Sequence, residues 1–340
     1  MSRRDDLRED GMETTGTAKR IERFKTAWKA LREALSTVVV GHEEVVTGVL
    51  AALFAGGHCL LEGVPGIGKT LLVRALGRVS GLRAGRVQFT PDLMPSDITG
   101  TEVIVEKDGG KRFEFRRGPV FANLLLADEI NRATPKTQAA LLEAMQERQV
   151  TVGETTHALP EPFMVLATQN PIEMEGTYPL PEAQLDRFLF KLLLRTPEER
   201  ELVEIVRRTT GERESMEELE QVVSGAEEVL RMKELARRVV AAEEVMAYAA
   251  RLVGATHPER GPERVRRYVR LGASPRGAQA LILGGKVLAL ADGRANLAFE
   301  DVRRLAAPAL RHRIILSFDA QADGVCADDV LEEVVSSVRT

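Results

Sequence analysis

The spacing of apolar residues divides the chain into a mixed first part and a helical second part. Up to Arg195, five short apolar runs alternate with segments in which apolar residues recur every three or four positions. Such alternation predicts parallel strands joined by helices. The predicted strands are residues 58–62, 86–90, 123–128, 163–168 and 188–194. We therefore expect an α/β domain over residues 20–195, with a five-stranded parallel sheet flanked by helices.

Beyond residue 228 the pattern is helical throughout. Apolar residues keep the helical period in six segments, and Ser274-Pro275 fits the cap and first position of one of them. We predict a small all-α domain over residues 229–340, with helices at 232–240, 242–253, 263–271, 275–291, 298–311 and 328–338. Residues 196–228 are rich in Glu and Arg, which predicts a charged helical linker. Residues 1–19 are polar and predict a disordered tail, followed by an amphipathic helix over 22–35 that buries Trp28.

Two hairpins are predicted to interrupt the α/β domain. Alternating segments at 103–105 and 113–115 flank the Asp108-Gly109 dipeptide, which favours a tight turn. A weaker pattern at 150–152 and 155–158 indicates a second hairpin between a helix and the next strand.

A glycine-rich loop follows the first predicted strand and precedes a helix. It has the P-loop pattern G-x-x-x-x-G-K-T, formed by Gly63, Val64, Pro65, Gly66, Ile67, Gly68, Lys69 and Thr70. The glycines let backbone N–H groups converge on a phosphate, Lys69 would reach the β and γ phosphates, and Thr70 would meet Mg²⁺. We predict a nucleotide site that also includes Val40, Gly41 and Leu71. Val40-Gly41 ends a short apolar segment that could lie against a base.

Two carboxylates, Asp128 and Glu129, end the third predicted strand. Parallel sheets place ligands at the carboxyl ends of their strands. Asp128 is therefore predicted to help hold Mg²⁺, and Glu129 to orient and deprotonate the attacking water. The alternative is an acidic pair that only caps the helix near Pro135.

Asn170 follows the fourth predicted strand and could bond the γ-phosphate or the water. The competing interpretation is a simple turn residue before Pro171.

Charge and cysteine content exclude several classes of protein. The net charge is −4 and the pI about 5.9, which favours neither nucleic acid nor an anionic membrane as partner. Cys59 and Cys326 are far apart, and the five histidines form no ligand pair, so neither a disulfide framework nor a zinc site is expected. The N-terminus lacks an apolar signal core and no run is long enough to span a bilayer, which predicts a cytoplasmic protein.

Several of these stretches resemble the MoxR family of AAA+ ATPases. The similar segments are 57–66, 128–132, 139–147, 167–171 and 178–188, with Ser274-Pro275-Arg276-Gly277 in the helical domain. The resemblance is dense from Val38 to Leu194 and sparse after it. Many members of the family have Ala where this chain has Gly68.

The resemblance implies a ring, usually of six subunits, that holds ATP between neighbours. It implies that Asn170 is sensor 1, that Arg276 is the sensor 2 arginine reaching the nucleotide from the lid, and that Arg187 is the finger completing the neighbour's site. Arg187 could instead pair with Asp186 or Glu182, and Arg132 is a rival for the finger. The hairpins resemble inserts that line a pore or face a client, and a von Willebrand factor A-type protein is the implied partner.

Two other functions fit the same motifs. A nucleic-acid motor would draw support from the basic run Arg260, Arg264, Arg266, Arg267 and Arg270. The second function is a scaffold that is switched by the bound nucleotide and has negligible turnover, although Glu129 argues against it.

Overall fold

The computed structural model describes residues 3–107, 110–171, 176–210 and 216–340. Its central sheet has the five parallel strands that the sequence predicts. The strand order is β2-β5-β8-β1-β9, where β1 is Cys59–Glu62, β2 Ala84–Gln88, β5 Leu124–Asp128, β8 Met164–Gln169 and β9 Phe190–Leu193. Strands β1, β5 and β8 are buried almost throughout, as continuous apolar runs covered on both faces should be.

Seven helices belong to this first part of the described chain: α1 Arg3–Ser36, α2 Glu43–Ala55, α3 Lys69–Ser80, α4 Pro95–Thr99, α5 Pro135–Glu147, α6 Glu182–Leu185 and α7 Glu199–Thr209. Trp28 is buried on α1, where it stacks with Phe24 and packs on Phe54. The sequence predicts a disordered tail over residues 1–19, whereas the helical backbone of α1 begins at Arg3. Polar composition disfavours burial, but it does not prevent a helical backbone.

Both predicted hairpins are present. The first pairs β3, Gly100–Lys107, with β4, Gly110–Arg117, and the second pairs β6, Gln149–Val152, with β7, Thr155–Ala158. The predicted turn at Asp108-Gly109 lies outside the described residues. The two hairpins touch each other where the Phe115 ring stacks on His157, with ring centroids 4.1 Å apart.

The segment predicted as a linker is partly packed on the α/β domain. Leu219 and Val223 are buried, and Arg78 of α3 donates a hydrogen bond to the Leu219 carbonyl at 2.6 Å. The sparse apolar residues of this segment are thus enough to dock residues 216–225. Residues 211–215 of the predicted linker lie outside the described part of the chain.

The C-terminal part is mainly helical. Its helices are α8 Ala226–Arg237, α9 Glu243–Ala255, α10 Glu263–Tyr268, α11 Pro275–Ala291, α12 Phe299–Arg304, α13 Ala306–Leu310, α14 Phe318–Ala322 and α15 Ala327–Ser337. Helix α11 has the predicted bounds, and the Ser274 hydroxyl caps it by accepting from the Arg276 N–H. The prediction of helix through Leu271 is wrong, because β10, Val269–Leu271, pairs antiparallel with β11, Ile315–Leu316. That partner lies over forty residues away, so local pattern does not reveal it.

Candidate nucleotide site

The P-loop connects β1 to α3 at the carboxyl end of the sheet. Gly66 and Gly68 have φ values of 81° and 90°, a left-handed conformation that favours glycine. Lys69 is buried, and its Nζ donates to the Gly63 carbonyl oxygen at 2.6 Å. Ile67 and Leu71 are partly buried and pack against the core, which anchors the loop and the start of α3. The local geometry is that of a phosphate cradle.

Thr168 on β8 contacts both residues of the acidic pair, Asp128 and Glu129. Its hydroxyl donates to Asp128 Oδ1 at 2.7 Å and accepts from the Glu129 N–H at 2.8 Å. Asp128 is the last residue of β5, beside β8 in the sheet. The arrangement therefore holds Asp128 and the backbone of Glu129 in one orientation.

Glu129 is one of two non-glycine residues in the described ranges with a positive φ, at 56°. That conformation costs about 1–2 kcal/mol for a residue with a Cβ. Its Oε2 accepts from Gln88 Nε2 at 2.8 Å and from an Arg132 guanidinium nitrogen at 2.9 Å. Strain of this kind is concentrated at functional sites, and here it aims the carboxylate predicted to act as general base.

Asn170 follows β8 directly and is buried. The neighbouring Gln169 carbonyl accepts from the Gly63 N–H at 3.3 Å, which places Asn170 beside the start of the P-loop. The sheet thus brings together the P-loop, both acidic residues and Asn170, as the sequence predicts for the carboxyl edge.

The chemistry of the oxygen donors at this edge fits Mg²⁺. A threonine hydroxyl, Thr70, and a carboxylate, Asp128, are hard ligands that leave room for phosphate oxygens and water, as this ion prefers. No group of three or more His, Cys, Asp or Glu side chains that could bind a metal on its own is found in the described ranges.

The Val40-Gly41 segment lies between α1 and α2, and Gly41 lines a cavity of about 620 Å³. Gly41 has a φ of 76°, and a Cβ there would lie 2.4 Å from Glu201 Oε1. Glu201 also pairs with Arg195, on the cavity wall. Burial, assisted by Arg195 and opposed by Glu201, lowers the pKa of neighbouring His42. The ion pair between Glu201 and Arg195 thus forms the part of the cavity wall that lies next to Gly41.

The two arginines predicted to act on ATP lie at the other end of the sheet. Arg187 precedes β9 and donates to the Leu142 carbonyl at 2.8 Å, while Arg276 lies 3.5 Å from Asp186 Oδ2. Strand β9 runs parallel to β1, whose four residues span about 13 Å before the P-loop begins. Arg276 therefore lies about one strand length from the P-loop of its own chain, at the opposite end of the sheet.

Asp186 is the centre of an ionic cluster at this amino end. It accepts from Ser274 Oγ and from Arg313 Nε, both at 2.8 Å, besides facing Arg276. Arg313 is only 2% exposed. These contacts fasten α11 and residue 313 to the α/β domain.

Arg132, the rival finger, contacts Glu129 of its own chain and therefore lies at the carboxyl end. The position separates it from Arg187 and Arg276 by the length of the sheet.

Arg86, Gln88 and Thr168 were missed by sequence reasoning. Arg86 donates to Asp128 Oδ2 at 2.8 Å and to Gln88 Oε1 at 2.7 Å. The sequence indicates them only weakly. Gln88 and Thr168 are polar residues near the ends of the two strands that flank the strand ending in Asp128.

Comparison with known proteins agrees with this geometry. The model of the ATPase family associated with various cellular activities (AAA) matches residues 58–190, and that of the AAA lid domain matches residues 262–334. Chaperone MoxR1 of Mycobacterium tuberculosis is 44% identical over 88% of this chain and 79% of its own length. Protein YeaC of Bacillus subtilis is 43% identical over 90% of this chain and 92% of its own.

Protein MoxR of Methylorubrum extorquens is 34% identical over 86% of this chain and 89% of its own. A crystal structure described as an ATPase of Cytophaga hutchinsonii superposes with a TM-score of 0.88 at 39% identity, covering 96% of this chain and 99% of that one. In the described part of the chain, no helix is long and apolar enough to cross a membrane. The P-loop, the acidic strand end and these relatives together show that the chain belongs to the MoxR family of AAA+ ATPases and is an ATP-hydrolysing enzyme.

Proposed function

We propose that this ATPase is a Mg²⁺-dependent motor that assembles as a ring and remodels or activates a protein partner. The observation that carries the proposal is the position of Arg187 and Arg276. Both arginines lie a full strand length from the P-loop of their own chain. They can contribute to hydrolysis only at the P-loop of another subunit.

Within such a ring, each site draws on two chains. The P-loop, Thr70, Asp128, Glu129 and Asn170 of one subunit would hold the nucleotide, the metal ion and the attacking water. Arg187 of the next subunit would stabilise the charge that develops on the transferred phosphoryl group, and Arg276 would lie beside it. A six-membered ring is the assembly that the family resemblance implies.

Mg²⁺ would supply charge neutralisation at the β and γ phosphates. The residues that would hold it are Thr70 and Asp128. Glu129 would accept the proton of the attacking water, because its carboxylate is aimed by the backbone strain and by its two hydrogen-bond donors.

The client surface is proposed to include the first hairpin. Ile104 and Phe113 are directly opposite each other in the β3–β4 pair and are 61% and 70% exposed. An exposed apolar pair of this kind suits contact with a protein. A relative named as a chaperone supports a protein client, and the family resemblance suggests a von Willebrand factor A-type protein.

A nucleic-acid motor is less well supported. Three arginines of the basic run are paired with acidic side chains: Arg264 with Glu333, Arg267 with Asp323, and Arg270 with Glu182. Pairing reduces the positive charge that this face offers to phosphates.

The proposal is tested by ATP turnover per subunit as a function of protein concentration, with Mg²⁺. We expect turnover to rise with concentration and to be lost in Arg187→Ala, while nucleotide binding stays intact. Arg231→Ala is the control, since Arg231 is an exposed arginine paired with Glu227 on its own helix. Turnover by a species of monomer mass that does not depend on Arg187 would contradict the shared site.

A further inference from the structure

At the carboxyl end of the sheet, a chain of hydrogen bonds links the edge strand β2 to both Asp128 and Glu129. Arg86 on the edge strand β2 bonds Asp128 on β5, and it also bonds Gln88. Gln88 in turn donates to Glu129. One arginine thus contacts the predicted metal-binding carboxylate and, through one amide, the predicted general base.

The register of the two strands explains how Arg86 reaches Asp128. Gln88 is paired with Asp128, and Arg86 lies two residues earlier on the same face of β2. Diagonal neighbours in paired strands are close enough for a long side chain to bridge. The contact therefore follows from the sheet itself.

Both oxygens of Asp128 already have partners. Oδ1 accepts from Thr168 and Oδ2 from Arg86. Each oxygen keeps further lone pairs, so the guanidinium does not block a metal ion sterically. The conflict is one of charge, because a guanidinium and a divalent cation would share one carboxylate.

The environments of the two groups indicate which one moves. The Asp128 side chain is 13% exposed, whereas that of Arg86 is 52% exposed. Thr168 also fixes Asp128 from the other side. Arg86, on an edge strand and half in solvent, is the partner that can leave.

Arg86 also orients Gln88. Its bond to Gln88 Oε1 leaves the Nε2 group to face Glu129 Oε2.

We propose that Arg86 is a resident counter-ion that competes with Mg²⁺ for Asp128. The proposal rests on the Mg²⁺ dependence proposed above. Arg86 then lowers the affinity of the site for the metal ion by sharing the Asp128 carboxylate with it.

The test measures metal affinity instead of turnover. The protein is saturated with ADP and titrated with Mn²⁺ as a substitute for Mg²⁺, and free Mn²⁺ is followed by its electron paramagnetic resonance signal. We expect Arg86→Gln to bind Mn²⁺ about threefold to fivefold more tightly, the upper end of what a half-exposed ion pair contributes. The affinity for ADP without metal should stay the same.

Two variants serve as controls. Arg74→Gln removes a positive charge from an exposed position on α3, close in sequence to the P-loop. Gln88→Ala removes the amide but leaves Arg86 beside Asp128. We expect Mn²⁺ affinity to change by less than about twofold in both, because an exposed charge such as Arg74 that makes no direct contact has a small effect, and Gln88 carries no charge.

Three results would overturn the proposal. Unchanged Mn²⁺ affinity in Arg86→Gln would show that the guanidinium does not compete, and an equal gain in Arg74→Gln would assign the effect to general charge. Weaker metal-free ADP binding in Arg86→Gln would make Arg86 a phosphate ligand. If the natural protein saturated with ADP bound no Mn²⁺, the proposed Mg²⁺ dependence itself would fail.

Discussion

The two ends of the central sheet differ in how their charged groups are satisfied. At the carboxyl end, Glu129 is strained and is held by the partly exposed Gln88 and Arg132. At the amino end, Asp186 and the 2% exposed Arg313 form a buried pair that other contacts complete. The first end is arranged to receive a ligand, and the second to fasten the helical domain while it presents Arg187 and Arg276.

The difference fits the proposal that one chain holds halves of two different sites. In that proposal, groups at the carboxyl end serve the nucleotide of their own chain, and Arg187 and Arg276 at the amino end serve a neighbouring subunit. The following predictions perturb one end at a time.

The largest effect is expected from Glu129→Gln at the carboxyl end. Turnover should fall by about 10²–10⁴-fold, the usual contribution of a general base, while ATP binding remains. Lys69→Ala should instead lose binding, measured by the thermal shift that ATP causes. ATP at about a hundred times its dissociation constant stabilises a fold by about 2.7 kcal/mol. Normal turnover in Glu129→Gln would refute the assignment of the base.

At the amino end, Asp186→Ala should destabilise the protein without touching the P-loop. It leaves the buried Arg313 charge without its carboxylate, and breaking a buried pair typically costs about 3–5 kcal/mol. Denaturant unfolding measures the loss. Glu182→Gln is the control, since its contact with Arg270 is exposed on both sides. Equal stability of Asp186→Ala and Glu182→Gln would show that the cluster does not fasten the helical domain.

A pH effect should also arise at the amino end, from His58. Burial lowers the pKa of His58 from 6.5 to about 4. Its Nδ1 accepts from the Val165 N–H at 3.0 Å, and its Nε2 lies 3.2 Å from the Met145 carbonyl, so the folded state requires the neutral ring. Above pH 6.5 the stability is complete, and it is lost as the pH falls toward 4, because the unfolded chain then binds the proton.

We expect this histidine to remove about 2 kcal/mol of stability between pH 7.5 and 5. Unfolding of the natural protein and of His58→Gln across that range measures it, and the variant should lose less. Part of the remaining slope belongs to His312, whose pKa burial also lowers. An identical slope in both proteins would contradict the assignment.

The smallest effect is expected from Gly41→Ala beside the cavity at the carboxyl end. A Cβ at a φ of 76° costs about 1 kcal/mol, and it would displace the Glu201 carboxylate. Stability should fall by about that amount, and nucleotide affinity should weaken as the segment shifts. Gly254→Ala is the control for added volume, since nothing lies within 4 Å of its added Cβ; on helix α9 it should raise stability by about 0.5–1 kcal/mol. Unchanged stability and affinity in Gly41→Ala would remove Gly41 from the nucleotide site.

The sequence was most informative where the signal is local. The five strands, the P-loop and the cap of α11 at Ser274 each depend on residues a few positions apart, so patterns reveal them. The residues at the carboxyl end could be predicted, because the carboxyl ends of parallel strands lie at one edge of the sheet.

The rest depends on contacts between distant residues. Arg86 meets Asp128 only through sheet register, and residues 216–225 are docked by α3. The position of Arg276 depends on how the helical domain attaches through Asp186 and Arg313. Composition and periodicity carry no information about such pairings, which is why the two ends of the sheet are distinguished only in the structure.

The most direct test of the shared site is a mixing experiment. Arg187→Ala keeps an intact carboxyl end, and Glu129→Gln keeps an intact amino end, so each alone should be inactive. Mixed in equal amounts under conditions where the subunits exchange, they should regain about a quarter of the natural turnover, because that fraction of randomly formed interfaces pairs two intact halves. Co-purification of two different tags verifies that mixed assemblies form. Mixed assemblies without any recovered turnover would contradict the account.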